Sequence, residues 1–168
     1  MKKLLLLFIT SFIYSATIHV PGDYTSIQTA VVSSQDGDSI LVSSGTYNES
    51  VWITSKAIYV IGEDMENTII DANLINGPAV HIDAQVDDNE VTFENFTILN
   101  GGCGDCGSSQ NAAFVVKYSS PNLNNLHITQ SKSRGMWFEV SQARINGLEI
   151  DNNTYNPNHW FSGGAIYA

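Results

Sequence analysis

Positive charge is scarce in this chain: seven Lys or Arg stand against 17 Asp or Glu, a formal net charge of −10 over 168 residues. Nucleic acid is therefore excluded as an expected partner, because phosphate binding needs a basic footprint. An acidic polysaccharide would be repelled unless divalent cations bridged it. Cysteine is also rare, with two residues, too few for a disulfide-built scaffold or a four-thiolate zinc site. Long apolar runs are missing apart from Leu4 to Ile13, which falls short of the ~20 residues a spanning helix needs. Only 14% of residues are charged, and Asn is abundant, as suits a fold with many tight turns.

That one apolar run reads as an export signal. Met1-Lys2-Lys3 supplies the positive start, Leu4 to Ile13 the apolar centre, and Ser15-Ala16 the small residues at a cleavage site. Tyr14 fits poorly three residues before a cut after Ala16, so a cut after Ser15 is equally open. Residues 1–16 are accordingly taken as a signal peptide and 17–168 as one domain, large enough for a sizeable core. The protein is expected to be secreted, extracellular or at the cell surface, with no integral membrane segment once the signal is removed.

The mature chain is organised by the stretch from Ser26 to Gly62. Ile27, Ala30 and Val31 fall at the spacing that lines one face of a short helix, with Thr25 or Ser26 placed to cap it. After the polar turn Gln35-Asp36-Gly37-Asp38 come the β-branched and aromatic runs Ile40-Leu41-Val42, Val51-Trp52-Ile53 and Ile58-Tyr59-Val60-Ile61. The helix comes once and the strands continue. Ahead of it, Thr17 to Val20 reads as a strand and Pro21-Gly22 as a turn, with His19 a structural residue on the solvent side.

Internal repetition sets the architecture. Phe93 to Asn100, Leu123 to Gln130 and Ile145 to Asn152 align without gaps. In each, an apolar pair alternates at period two (Phe96 and Ile98, Leu126 and Ile128, Leu148 and Ile150) and is expected to point inward and stack from coil to coil. One turn position holds Asn95, Asn125 and Gly147. Asn and Gly enter the left-handed backbone region most cheaply, so these three are predicted to form a structural column at a repeated corner. A second strand set lies between the copies, at Ala79 to Ile82, Phe114 to Lys117, Met136 to Val140 and Ala165 to Tyr167. Its inward and outward phasing is open, because Val115 and Lys117 share a face. The last run, Gly163-Gly164-Ala165-Ile166-Tyr167-Ala168, shows no closing turn, so further coils are expected beyond Ala168.

Five pieces carry a family resemblance: Ser26-Ile27-Gln28-Thr29-Ala30; Asp36-Gly37-Asp38 leading into Ile40-Leu41-Val42; Gly45-Thr46-Tyr47 with Glu49; Ile58-Tyr59-Val60-Ile61-Gly62; and Thr68-Ile69-Ile70-Asp71. In this order they resemble the N-terminal part of right-handed parallel β-helix proteins of the pectin-lyase-like superfamily. The resemblance implies an all-β fold, a right-handed parallel β-helix solenoid with a short N-terminal capping helix. It does not imply one activity, since pectin esterases, pectate lyases, polygalacturonases and non-enzymatic surface proteins share the architecture. Gln110, after Val91 to Asn100, sits where pectin esterases lead to a catalytic Gln. The family's Gln-Asp-Thr and Val-Asp-Phe-Ile-Phe-Gly motifs and its late Arg do not follow, so ester hydrolysis lacks its nucleophile and oxyanion donors. Pectate lyases need calcium carboxylates and a basic Arg, for which Asp71, Asp83, Asp87, Asp88, Glu139, Arg134 and Arg144 are the candidates. No pair of these recurs at a spacing that places them on one face.

Three side chains are candidates for ligand binding. In Met136-Trp137-Phe138-Glu139-Val140, alternation sends Trp137 and Glu139 to one side, where an exposed indole could stack on a sugar ring and a carboxylate accept its hydroxyl protons. The plainer account packs Trp137 beneath the Asn152 to Phe161 loop. Trp160 is a weaker candidate of the same kind. Cys103 and Cys106 are expected to form a short-range disulfide after export rather than a redox pair or zinc half-site. Asp87-Asp88-Asn89-Glu90 could hold calcium but reads more simply as a solvated turn, and no other cofactor or metal is expected. The leading functional expectation is an exported β-helix scaffold that binds polysaccharide, a cell-surface glycan or another surface, without catalysis in this segment. The alternatives are a polysaccharide lyase or glycoside hydrolase with catalytic coils beyond residue 168, and a ligand-free adhesin or stalk.

Overall fold

The computed structural model describes residues 14–85, 91–103, 111–154 and 166–167. Thr17–Val20 (β1) leads into a single helix, Ile27–Ser33 (α1), and the chain then winds. A first coil comprises Ser39–Val42 (β2), Gly45–Tyr47 (β3) and Val51–Thr54 (β4); a second comprises Tyr59–Gly62 (β5), Thr68–Asp71 (β6) and Val80–Asp83 (β7). In the later coils two faces fuse into one bent strand followed by a second: Thr92–Leu99 (β8) with Ala112–Lys117 (β9), Asn122–Thr129 (β10) with Arg134–Glu139 (β11), and Arg144–Asp151 (β12) with Ile166–Tyr167 (β13). One sheet runs β1-β2-β5-β8-β10-β12, with β3 and β6 joining it through β8; the other runs β13-β11-β9-β7-β4. Every pairing between these strands is parallel. The architecture is an all-β right-handed parallel β-helix with a short capping helix, the hand that parallel crossovers adopt in about 98% of cases.

Register follows the repeat. Asn122 pairs with Thr92 on one side and Arg144 on the other, the steps of the aligned segments. Apolar residues therefore stack in columns along the axis. Ile40, Val60, Phe93 and Leu123 form one, and Ile70, Ile98 and Ile128 another. All seven are fully buried. Phe93 stacks on Phe96 at 4.6 Å between centroids and meets Phe114 edge-on at 5.5 Å, locking the two sheets together. Each such side chain contributes roughly 1.5–3 kcal/mol through burial.

Corners are made by left-handed residues. Asn95, Asn125 and Gly147 have φ of 63°, 51° and 68° and sit one above another, midway along the three bent strands. Their amides also link the coils: Asn125 Nδ2 donates to Asn95 Oδ1 at 3.0 Å, and Asn95 Nδ2 to the Gly62 carbonyl at 3.1 Å. Two further corners recur from coil to coil. Asn100, Gln130 and Asn152 close the bent strands at φ of 56°, 54° and 48°. Ser55, Tyr118 and Val140, at 51°, 43° and 48°, directly follow Thr54, Lys117 and Glu139 of one paired column, and Gln85, at 50°, comes two residues after its fourth member, Asp83.

The cap is fastened at both ends by the first coil. Ile27, Ala30 and Val31 are buried, and the Ser26 hydroxyl accepts from the Thr29 amide. The Glu49 carboxylate accepts from the Ile27 and Gln28 amides at 2.9 and 2.8 Å, placing negative charge where the helix exposes N–H groups. At the other end Lys56 Nζ donates to the carbonyls of Val31, Val32 and Ser34 at 2.6, 2.8 and 2.7 Å. The residue before β1 is also held: Ser39 N donates to the Ala16 carbonyl at 2.9 Å. Residues 1–13 lie outside the described residues, and among those described no helix is long and apolar enough to cross a membrane.

Two substitutions test these devices by thermal and denaturant unfolding. Val140 is 76% exposed yet β-branched at positive φ, so Val140→Asn is expected to stabilise by about 1 kcal/mol. Lys56→Met, which keeps the stem and removes three charge-assisted bonds, is expected to cost about 2 kcal/mol.

Candidate functional site

The outward side of the second sheet collects the most chemistry. Val51, Ile53, Val80, Ile82, Phe114 and Val116 face the core and are fully buried, so alternation turns their neighbours outward. Pairing then builds two columns that cross the strands: Trp52, His81, Val115 and Trp137; and Thr54, Asp83, Lys117 and Glu139. Successive rungs are roughly 4.8 Å apart. The phasing that was open in the sequence is thus resolved, with Val115 and Lys117 both outward.

The first column changes character along its length. Trp52 is 44% exposed. Its backbone is clamped by the cap helix, the Trp52 amide donating to Gln28 Oε1 at 2.6 Å and Gln28 Nε2 to the Trp52 carbonyl at 3.4 Å. Its indole Nε1 donates to Ser50 Oγ at 2.8 Å, and the ring lies 4.3 Å from the His81 ring, tilted by 44°. Both ring nitrogens of His81 and Oδ1 of Asp83 are buried and have no hydrogen-bond partner among the described residues. Burial holds the imidazole pKa below its ordinary value, and the Lys117 charge adds to the effect while Asp83 opposes it. His81 is therefore held towards its neutral form.

At the other end the candidate side chains are not arranged as an open platform. Trp137 points outward as alternation requires but is only 7% exposed, packed with Ala112 and Val115 and with the Arg134 guanidinium 5.2 Å from its ring centroid. Its ring is largely covered, which agrees with the plainer account of a packed indole rather than an open face for a sugar ring. Glu139 is outward and engaged, its Oε2 lying 3.4 Å from Lys117 Nζ and its Oε1 accepting from the Tyr118 hydroxyl at 3.3 Å. Trp160 lies outside the described residues, as does Cys106. Cys103 is buried and disulfide-bonded, its amide donating to Asn111 Oδ1 at 2.5 Å, and Ser133 Oγ donates to the same oxygen at 3.0 Å.

The lyase candidates are dispersed. Asp71 is on the first sheet, where it accepts from Asn100 Nδ2 at 2.8 Å and the Asn73 amide at 2.9 Å. Arg144 begins β12 on the same sheet, while Arg134 begins β11 on the other. Asp83 and Glu139 share an outward column two rungs apart, about 10 Å, with Lys117 between them. Asp87, Asp88 and the rest of the proposed calcium turn lie outside the described residues, as does Gln110. Among the described residues no group of three or more His, Cys, Asp or Glu could hold a metal ion.

No protein-family profile matches the chain, and no curated protein matches it. Among solved structures, a crystal structure of a pectin methylesterase mutant in complex with a hexasaccharide is similar over 80% of this chain, at 16% sequence identity and a TM-score of 0.47. The chain spans 49% of that structure's length. By fold it is a parallel β-helix with a short capping helix. That conclusion stands on the strand registers and the capped coil.

Trp52 was the residue that sequence reasoning passed over. The signal was present in Val51-Trp52-Ile53, whose alternation turns the indole outward once Val51 and Ile53 are assigned to the core. Acid should destabilise the protein in two stages. His81 binds a proton more readily when unfolded, so stability is complete above the ordinary histidine value and falls as pH drops through it. Glu63, Asp64 and Asp151 are held below the ordinary carboxylate range by hydrogen bonds from Ser44, Asn67 and Thr129 respectively. Their contribution is present above that range and disappears at lower pH still. Denaturant midpoints measured across pH, with His81→Phe removing the first stage, check both parts.

Proposed function

We propose that this chain is an exported β-helix scaffold that binds an extended, uncharged polysaccharide along the outward face of its second sheet, without catalysis by these coils. The observation that carries the reading is the half-exposed Trp52 lying against His81 and beside Asp83, two residues whose buried polar atoms have no partner among the described residues. Buried polar groups are nearly always hydrogen-bonded, so unpaired ones beside an exposed aromatic support a ligand-binding role. The indole is held by one side-chain bond, to Ser50, worth about 1 kcal/mol, while its backbone is fixed. It can turn onto a sugar ring and uncover the imidazole. A neutral imidazole has one donor and one acceptor, matching a hydroxyl that both gives and takes a proton, and Asp83 accepts from a second hydroxyl. A uronate carboxylate has no proton to give Asp83 and adds charge to an already acidic protein.

The test is retention of the full chain on cellulose, mannan and polygalacturonate, with tryptophan fluorescence titrations against the soluble oligosaccharides. Binding to a neutral glycan is expected, with Trp52→Ala weakening it about tenfold, equivalent to ~1.4 kcal/mol. Retention only on polygalacturonate would overturn the uncharged-ligand reading. Release of unsaturated products or reducing ends would replace the scaffold with a lyase or hydrolase, and no retention at all would leave a ligand-free stalk.

A further inference from the structure

Asp38, in the turn between α1 and β2, is a carboxylate with 5% exposure. Its Oδ2 accepts from the Gln35 amide at 2.8 Å, and its Oδ1 accepts from the Ala16 amide nitrogen at 2.7 Å. The ion pairs among the described residues are Lys117 with Glu139 and His127 with Asp151, so no cationic side chain there pairs with Asp38. A carboxylate taken out of water is costly unless an opposite charge or several hydrogen bonds compensate it. Ala16 is also part of the first sheet, because its carbonyl accepts from Ser39 directly ahead of the Thr17 to Ser39 pair. Tyr14 is 85% exposed, and the exposed Ser15 contributes a hydroxyl bond to the Gly37 carbonyl.

We propose that the leader is removed by hydrolysis of the Ser15–Ala16 bond and that the new Ala16 ammonium is the counter-ion of Asp38. The inference rests on the export reading. A signal peptidase adds water across the peptide bond: the hydroxyl goes to the Ser15 carbonyl carbon, giving a carboxylate that leaves with the leader. The Ala16 nitrogen keeps its hydrogen, gains one from water, and takes a further proton to become an ammonium. That nitrogen is the atom already 2.7 Å from Asp38 Oδ1. Folding onto the first sheet then places a positive charge against the buried carboxylate. A cut one residue later would remove both the donor to Asp38 and the acceptor for Ser39. The cut after Ser15 keeps both of these Ala16 bonds.

The full chain is expressed in an exporting bacterial host, and the exported product is examined by intact mass and N-terminal sequencing. A product beginning at Ala16 is expected. One beginning at Thr17 or elsewhere overturns the maturation site while leaving export standing, and a chain that keeps Met1 overturns both. The counter-ion is tested by Asp38→Asn in the chain beginning at Ala16 and in the uncleaved chain, where the same nitrogen is an uncharged amide. The substitution is expected to lower the thermal midpoint by about 4 °C in the first and by less than half as much in the second. Equal shifts in the two overturn the ion pair.

Discussion

The fold depends on bending a strand sharply at the same place in every coil. An L-amino acid resists the left-handed conformation that such a corner needs, by roughly 1–2 kcal/mol, and Asn and Gly resist it least. Asn95, Asn125 and Gly147 meet that requirement at one corner. The two Asn side chains add a second function, since their amides bond from coil to coil and hold the corners in line. Register follows from this alignment. A slip of one residue would turn Phe93, Phe96, Leu123 and Leu126 out of the core and bring Glu94 and Asn124 into it.

The winding of the chain was readable because its signals are local and repeated. Three aligned segments with apolar residues at fixed positions define the bent strands, and the paired residues fall at the spacings the alignment gives. The cap helix was equally plain, its Ile27, Ala30 and Val31 forming the buried face. Two features were hidden. The Gly45–Tyr47 and Thr68–Asp71 strands pair with each other as a separate face in the early coils, yet each is too short for periodicity to distinguish from a turn. The corner at Ser55, Tyr118 and Val140 uses unlike residues, so composition does not mark it.

The outward face was less legible than the core. Alternation correctly assigned the direction of Trp137, but exposure depends on what covers a side chain, and Arg134, Ala112 and Val115 lie around it. Trp52 has the same strand position in another coil and remains half exposed. Which of two equivalent indoles meets solvent is a tertiary property. The His81 nitrogens, without a partner among the described residues, belong to the same category: they arise from packing between Trp52 and the next rung, and no motif in the chain signals them.

A stack of coils is usually coupled only between adjacent members, as in a one-dimensional chain. Lys132 departs from that rule. Its amide donates to Gly101 in the coil below, while its side chain passes further and donates to the carbonyls of Ala72, Asn73 and Ile75 at 3.3, 2.8 and 3.0 Å. One residue therefore ties three successive turns of the winding. Fraying that reaches β10 must release a carbonyl cluster two layers away, so these layers are joined as one cooperative block rather than as separable links.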